Sequence, residues 1–120
     1  MKSSNTQKLI SMRITAGEGR YIVWLEQYKI GSDVLFILGG GEKTHIGGIL
    51  VSEPDQPLKT IRLGNHYDYI ALKPIIEKAR GLYNTTIVAT GGIHIDNATK
   101  DEINIIIENC QALSNQIDKI

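Results

Sequence analysis

The chain has little of what usually announces a chemistry. Its one cysteine, Cys110, rules out an internal disulfide, and a single phenylalanine and a single tryptophan leave few aromatic anchors. Lys+Arg and Asp+Glu number 13 each, so the net charge is zero. That excludes the basic excess by which a general nucleic-acid binder is recognised. No apolar run approaches the ~20 residues of a membrane-spanning helix. The N-terminal stretch MKSSNTQK has no apolar signal core. A cytoplasmic location is the expectation from these absences. At 120 residues the chain reads as one domain, 1–120, with residues 1–8 expected to be a flexible polar arm.

What is present is periodic. Ile10, Met12 and Ile14 alternate with Ser11, Arg13 and Thr15, the mark of a half-buried strand. The glycines of AGEGR (16–20) predict a turn, YIVWLEQY (21–28) a second strand and KIGSD (29–33) another turn. VLFIL (34–38) is apolar without alternation, as in a central strand covered on both faces. Residues 46–52 and 59–63 predict two more strands, separated by the proline loop EPDQP.

The period then changes. Ile70, Ile75, Ile76, Ala79 and Leu82 predict a helix, whose regular part is expected to start near Lys73 so that Pro74 falls in its first turn. NTTIVAT (84–90) predicts a strand ended by Gly91 and Gly92. Thr99 and Glu102 form a capping box ahead of a helical stripe of Ile103, Ile106, Ile107, Cys110, Leu113 and Ile117. Short turns between the early strands imply an antiparallel meander. The fold class is α+β, a largely antiparallel sheet of about six strands with two helices packed on it.

All three histidines lie beside glycine-rich breaks: GGGEKTHIGG (39–48), GNHYDY (64–69) and GGIHIDN (91–97). Glycine lets backbone approach a ligand closely, and imidazole donates, accepts or binds a metal. The first break is no Walker loop, because no Gly-Lys-Ser/Thr and no helix follow. It reads either as an anion-cradling turn or as a wide β-hairpin in which His45 pairs with its own loop. In the second, Asp68 either caps the next helix or orients His66, with Tyr67 and Tyr69 as stacking surfaces or helix anchors. In the third, His94 is a surface residue or a ligand contact.

Three imidazoles are enough for an open zinc site, but no HxH or HExxH pair is present. Cys110 falls in an apolar stripe, where a thiol is ordinarily packing, and no serine occupies a GxSxG elbow. Asp68, Asp96 and Glu42 are the remaining candidate bases. No catalytic constellation emerges.

These motifs resemble the LpdD-like family, the D component associated with gallate decarboxylase. The resemblance rests on Gly40-Gly41-Glu42-Lys43-Thr44-His45-Ile46-Gly47, on His66-Tyr67-Asp68, and on Thr90-Gly91-Gly92-Ile93-His94-Ile95 leading into Thr99-Lys100-Asp101-Glu102-Ile103. It spans residues 10–115. The third motif carries one glycine more before Ile93 than the family pattern. The resemblance implies a fold similar to proteasome assembly chaperones, often dimeric. It also implies a non-catalytic chaperone or carrier of prenylated FMN serving a UbiD-type decarboxylase.

The expectation is therefore a homodimeric carrier with its cofactor at the three turns. His45, His66 and His94 would contact phosphate or ring edge, Gly40, Gly41, Gly47, Gly91 and Gly92 would permit close approach, and Asp68 would orient His66. An assembly scaffold without a small-molecule ligand and a three-histidine metal protein are the rival readings.

Overall fold

The computed structural model describes residues 11–64 and 68–118. The residue 1–8 arm, His66 and Tyr67 lie outside the described residues. The alternating and apolar runs become five strands: Ser11–Ala16 (β1), Val23–Ile30 (β2), Asp33–Gly40 (β3), Lys43–Ser52 (β4) and Lys59–Arg62 (β5). The helix Asp68–Leu82 (α1), the strand Ile87–His94 (β6) and the helix Lys100–Asn115 (α2) follow. The sheet order is β1-β2-β3-β6-β4-β5, and only the β3–β6 pair is parallel.

Both helices cover the same sheet face, α1 over β4 and β6 and α2 over β1 and β2. Val23 and Leu25 of β2, Phe36 and Leu38 of β3, Leu50 of β4 and Ile87 of β6 are buried beneath them. Leu72, Ile75 and Ile76 of α1 and Cys110 and Leu113 of α2 close the core from above. Each large side chain so buried contributes about 1.5–3 kcal/mol of transfer free energy.

Four local expectations are corrected. β3 and β4 are not hairpin partners, because β6 returns through α1 and inserts between them. β6 does not stop at Gly91 but runs on to His94, with a register shift against β4 between Thr44 and Gly48. α1 begins at Asp68, which puts Pro74 inside the helix. The cost of the missing N–H is offset by the continuous buried stripe Ala71, Leu72, Ile75, Ile76 and Ala79. Finally, β3 is covered on one face only: Leu35 and Ile37 are half-exposed while Val34, Phe36 and Leu38 are buried.

One polar thread crosses the core. The buried Gln27 Nε2 donates to Tyr83 Oη at 2.7 Å, and that hydroxyl donates to the Asp118 carbonyl at 3.0 Å. Tyr83→Phe leaves the Gln27 amide without this acceptor, and an unsatisfied buried donor costs about 1–3 kcal/mol. Urea unfolding should report that loss, and a Gln27→Met, Tyr83→Phe double variant should recover part of it.

α2 starts as its sequence predicts. The Thr99 side chain accepts from the Glu102 N–H, and the Glu102 carboxylate accepts from the Thr99 N–H. That backbone bond, then a hydrogen bond from Tyr21 at 2.7 Å, hold the Glu102 carboxyl below its usual 4.5. A depressed carboxylate contributes stability above its unfolded-state value and loses it as pH falls through the folded one. Glu102→Gln should therefore flatten the decline in melting temperature between about pH 5 and pH 3. An unchanged acid limb would remove Glu102 from the account.

Candidate functional site

Four segments meet where β4 starts, β6 ends and both helices begin. Between them lies a cleft of about 300 Å³. His45 comes from β4, Asp68, Ile70 and Ala71 from the first turn of α1, and Ile93 and His94 from the end of β6. Ile95 and Ala98 precede α2, and Ile103, Ile106 and Ile107 lie on its first turns. The walls are isoleucine and alanine; the polar groups are one aspartate and two histidines.

The polar end is organised around Asp68, whose side chain is 10% exposed. Its Oδ2 lies 3.2 Å from His45 Nε2, and its Oδ1 accepts the Ile93 N–H at 2.9 Å. The carboxylate thus ties the start of α1 to β4 and β6 together. Sequence reasoning attached Asp68 to His66, outside the described residues; in the structure it holds His45. The His45 and His94 rings stand edge to face with centroids 6.2 Å apart. His94 Nε2 meets Asp96 Oδ1 at 2.8 Å in an exposed pair.

Gly47 and Gly92 make this arrangement sterically possible. A Cβ on Gly47 would collide with Asp68 Oδ2, and one on Gly92 would come 3.0 Å from His45 Nε2 and 2.9 Å from Asp68 Cγ. The other glycines of the expected site face the sheet. Gly40 lies against the backbone of Ile22 and Val23, Gly91 against that of Leu38, and Gly41 against the His94 carbonyl and the Ile93 side chain. None of these three is among the cleft-lining residues.

The remaining sequence candidates have structural partners. Glu42 Oε1 accepts the Asp96 N–H at 2.9 Å and meets Arg20 at 3.5 Å, so it clamps the turn after β3 to the turn after β6. Tyr69 packs against the core and does not line the cleft. Cys110 is buried, and desolvation pushes its thiol up to about 12, which makes it unreactive at neutral pH. Among the described residues, no group of three or more His, Cys, Asp or Glu is placed to hold a metal. No described helix is long and apolar enough to cross a membrane.

Sequence reasoning missed the isoleucine walls. Ile103, Ile106 and Ile107 read as core at helical spacing; Ile106 is buried core as expected, Ile103 is 48% exposed, and all three also line the cleft. Helical period marks the face of a helix, not what that face meets.

No curated protein matches the chain. A chain from the crystal structure of a chaperone complex for yeast 20S proteasome assembly shares the fold, with a TM-score of 0.53 at 12% identity. The superposition covers 91% of this chain and 97% of the other. The family model described as a prenylated flavin chaperone LpdD-like domain matches residues 17–120, a span that contains every cleft-lining residue. The chain therefore belongs to the LpdD-like family of prenylated flavin chaperones.

Proposed function

We propose that this protein is a non-catalytic cytoplasmic carrier that holds prenylated FMN and delivers it to a UbiD-type decarboxylase. The observation that carries the reading is the cleft itself: aliphatic walls with a single polar end, in a chain of this family. Small-molecule sites are mostly apolar concavities with a few well-placed polar groups. His45 and His94 would supply hydrogen bonds to the cofactor's polar edge or phosphate. Asp68 would hold His45 in one orientation, while Gly47 and Gly92 keep the pair close to the sheet backbone. Gly40, Gly41 and Gly91 would act indirectly, by setting the strand geometry beneath. On its sequence motif alone, His66 is a further candidate for cofactor contact. When bound, the cofactor carries its own redox chemistry; the protein's part is to bind, orient and shelter it.

The partner surface is the uncovered sheet face. Leu35 and Ile37 of β3, Val88 of β6 and Ile49 and Val51 of β4 form one half-exposed aliphatic field across adjacent strands. A field of this kind marks a protein interface, and a second copy packing sheet to sheet is the symmetric way to cover it.

The test is a titration of the purified protein with prenylated FMN. Wild type should bind it, and His45→Ala and His94→Ala should each weaken binding at least tenfold. Unchanged affinity in both variants would overturn the site. For the dimer, sedimentation of Ile37→Lys should give monomers where wild type gives dimers.

A further inference from the structure

We propose that Asp96 and Glu42 are positioning residues of the site, holding the His94 imidazole in one orientation at the cleft. This rests on the carrier reading, in which His94 is a contact residue, and adds to it two carboxylates that act through that ring. Neither is among the cleft-lining residues. The Asp96 carboxylate lies 2.8 Å from His94 Nε2. An ionised carboxylate only accepts, so Nε2 carries the proton and Nδ1 is left as the acceptor of the neutral ring.

An exposed pair contributes little by itself, because two freely rotating side chains lose entropy when they are held together. The side chains of His94 and Asp96 are 47% and 79% exposed. What changes the balance is the backbone between them. The Glu42 N–H donates to the His94 carbonyl at 2.9 Å, and the Glu42 carboxylate accepts the Asp96 N–H at 2.9 Å. One residue thus grips the segment on both sides of Ile95, whose side chain is buried in the core. From the connection between β1 and β2, Arg20 Nη2 reaches the Glu42 carboxylate at 3.5 Å and the Asp96 carbonyl at 3.4 Å. With the main chain fixed in advance, Asp96 has only its own side chain to order when it holds the ring. His94 then stands edge to face with His45, so the site contains two imidazoles, each with its Nε2 against a carboxylate.

A double-mutant cycle on prenylated FMN affinity separates positioning from a general structural role. Asp96→Ala and Glu42→Ala should each weaken binding about three- to tenfold, the effect of one hydrogen bond. Neither should weaken it further when His94 is already replaced by alanine. Glu42→Gln keeps an oxygen for the Asp96 N–H and should recover most of the loss. A readout free of cofactor is the nuclear Overhauser cross-peak between the ring protons of His45 and His94. It is expected in wild type and Glu42→Gln, and weakened in Asp96→Ala and Glu42→Ala. Undiminished affinity in both alanine variants, or losses that add to that of His94→Ala, would overturn the positioning role and leave the carrier reading intact. A ring cross-peak of wild-type strength in both alanine variants would overturn it as well. If wild type binds no prenylated FMN, the carrier reading fails, and the positioning role, with no cofactor to serve, fails with it.

Discussion

Replacing Gly91 with alanine should lower the melting temperature by about 15 °C or more. Gly91 has φ +120, a conformation that side-chain-bearing residues rarely adopt. It sits opposite Leu38 in the parallel β3–β6 pair, and an added Cβ would collide with the Leu38 carbonyl oxygen. Its next contacts would be the Leu38 carbonyl carbon and nitrogen, both at 2.9 Å. These are backbone atoms of a central strand, held by β2 on the other side, and they cannot turn away as a side chain would. Strain at such a position adds to the lost strand pairing, and about 3 kcal/mol or more is expected. Gly81 is the matched control. It lies in α1 with nothing within 4 Å of an added Cβ, so Gly81→Ala should stabilise the protein by about 0.5–1 kcal/mol. Thermal unfolding followed by circular dichroism measures both. A Gly91→Ala protein that melts with wild type would contradict the central pairing of the sheet.

The second large effect falls on Asp68. Asp68→Ala strands the Ile93 N–H and removes the partner of His45 in one step. A destabilisation of about 2–4 kcal/mol is expected, together with at least a tenfold loss of cofactor affinity. Amide exchange separates this from a general weakening, since the Ile93 N–H should exchange at least tenfold faster in Asp68→Ala and not in His94→Ala. Asp68→Asn retains an acceptor for Ile93 but loses the charge facing His45. It should keep most of the stability and lose most of the affinity. If Asp68→Asn binds prenylated FMN as wild type does, the carboxylate's charge has no part in holding the cofactor.

How much of this was legible beforehand depended on range along the chain. The capping box of α2 was readable because Thr99 and Glu102 are three residues apart and satisfy each other within one turn. Strands β1 to β5 are legible from the alternation in β1, from short β-prone or apolar runs in the others, and from the glycine and proline breaks between them, signals that span a few residues each. The local sequence places the start of α1 too late, because Pro74 argues against a helix that begins at Asp68. Burial of Leu72, Ile75 and Ile76 against the sheet outweighs that one missing hydrogen bond. The local sequence likewise ends β6 too early: Gly91 and Gly92 read as a stop, but inside the sheet they are what lets the strand pass β3 and the Asp68–His45 pair.

The site was legible as residue types and not as contacts. His45, Asp68 and His94 stood out because histidine is rare here and each lies beside a glycine break. Their mutual arrangement was invisible, since Asp68 meets a histidine on β4 and an amide on β6, neither near it in sequence. Glu42 was noticed only as a candidate base, and its work as a clamp on the Asp96 turn needed the fold to reveal it.

By itself the amino-acid order settled element types, the capped final helix, the absence of an internal disulfide and the motifs of the family. Those properties follow from backbone preference and periodicity, which act over a turn or a strand. Tertiary structure alone decided that β6 enters between β3 and β4, that the two described helices cover the same sheet face, and that isoleucines of the α2 stripe also line a cleft beside two imidazoles. Pairing between distant strands is set by how the apolar faces of the whole chain are buried together, and no short window of residues contains that information.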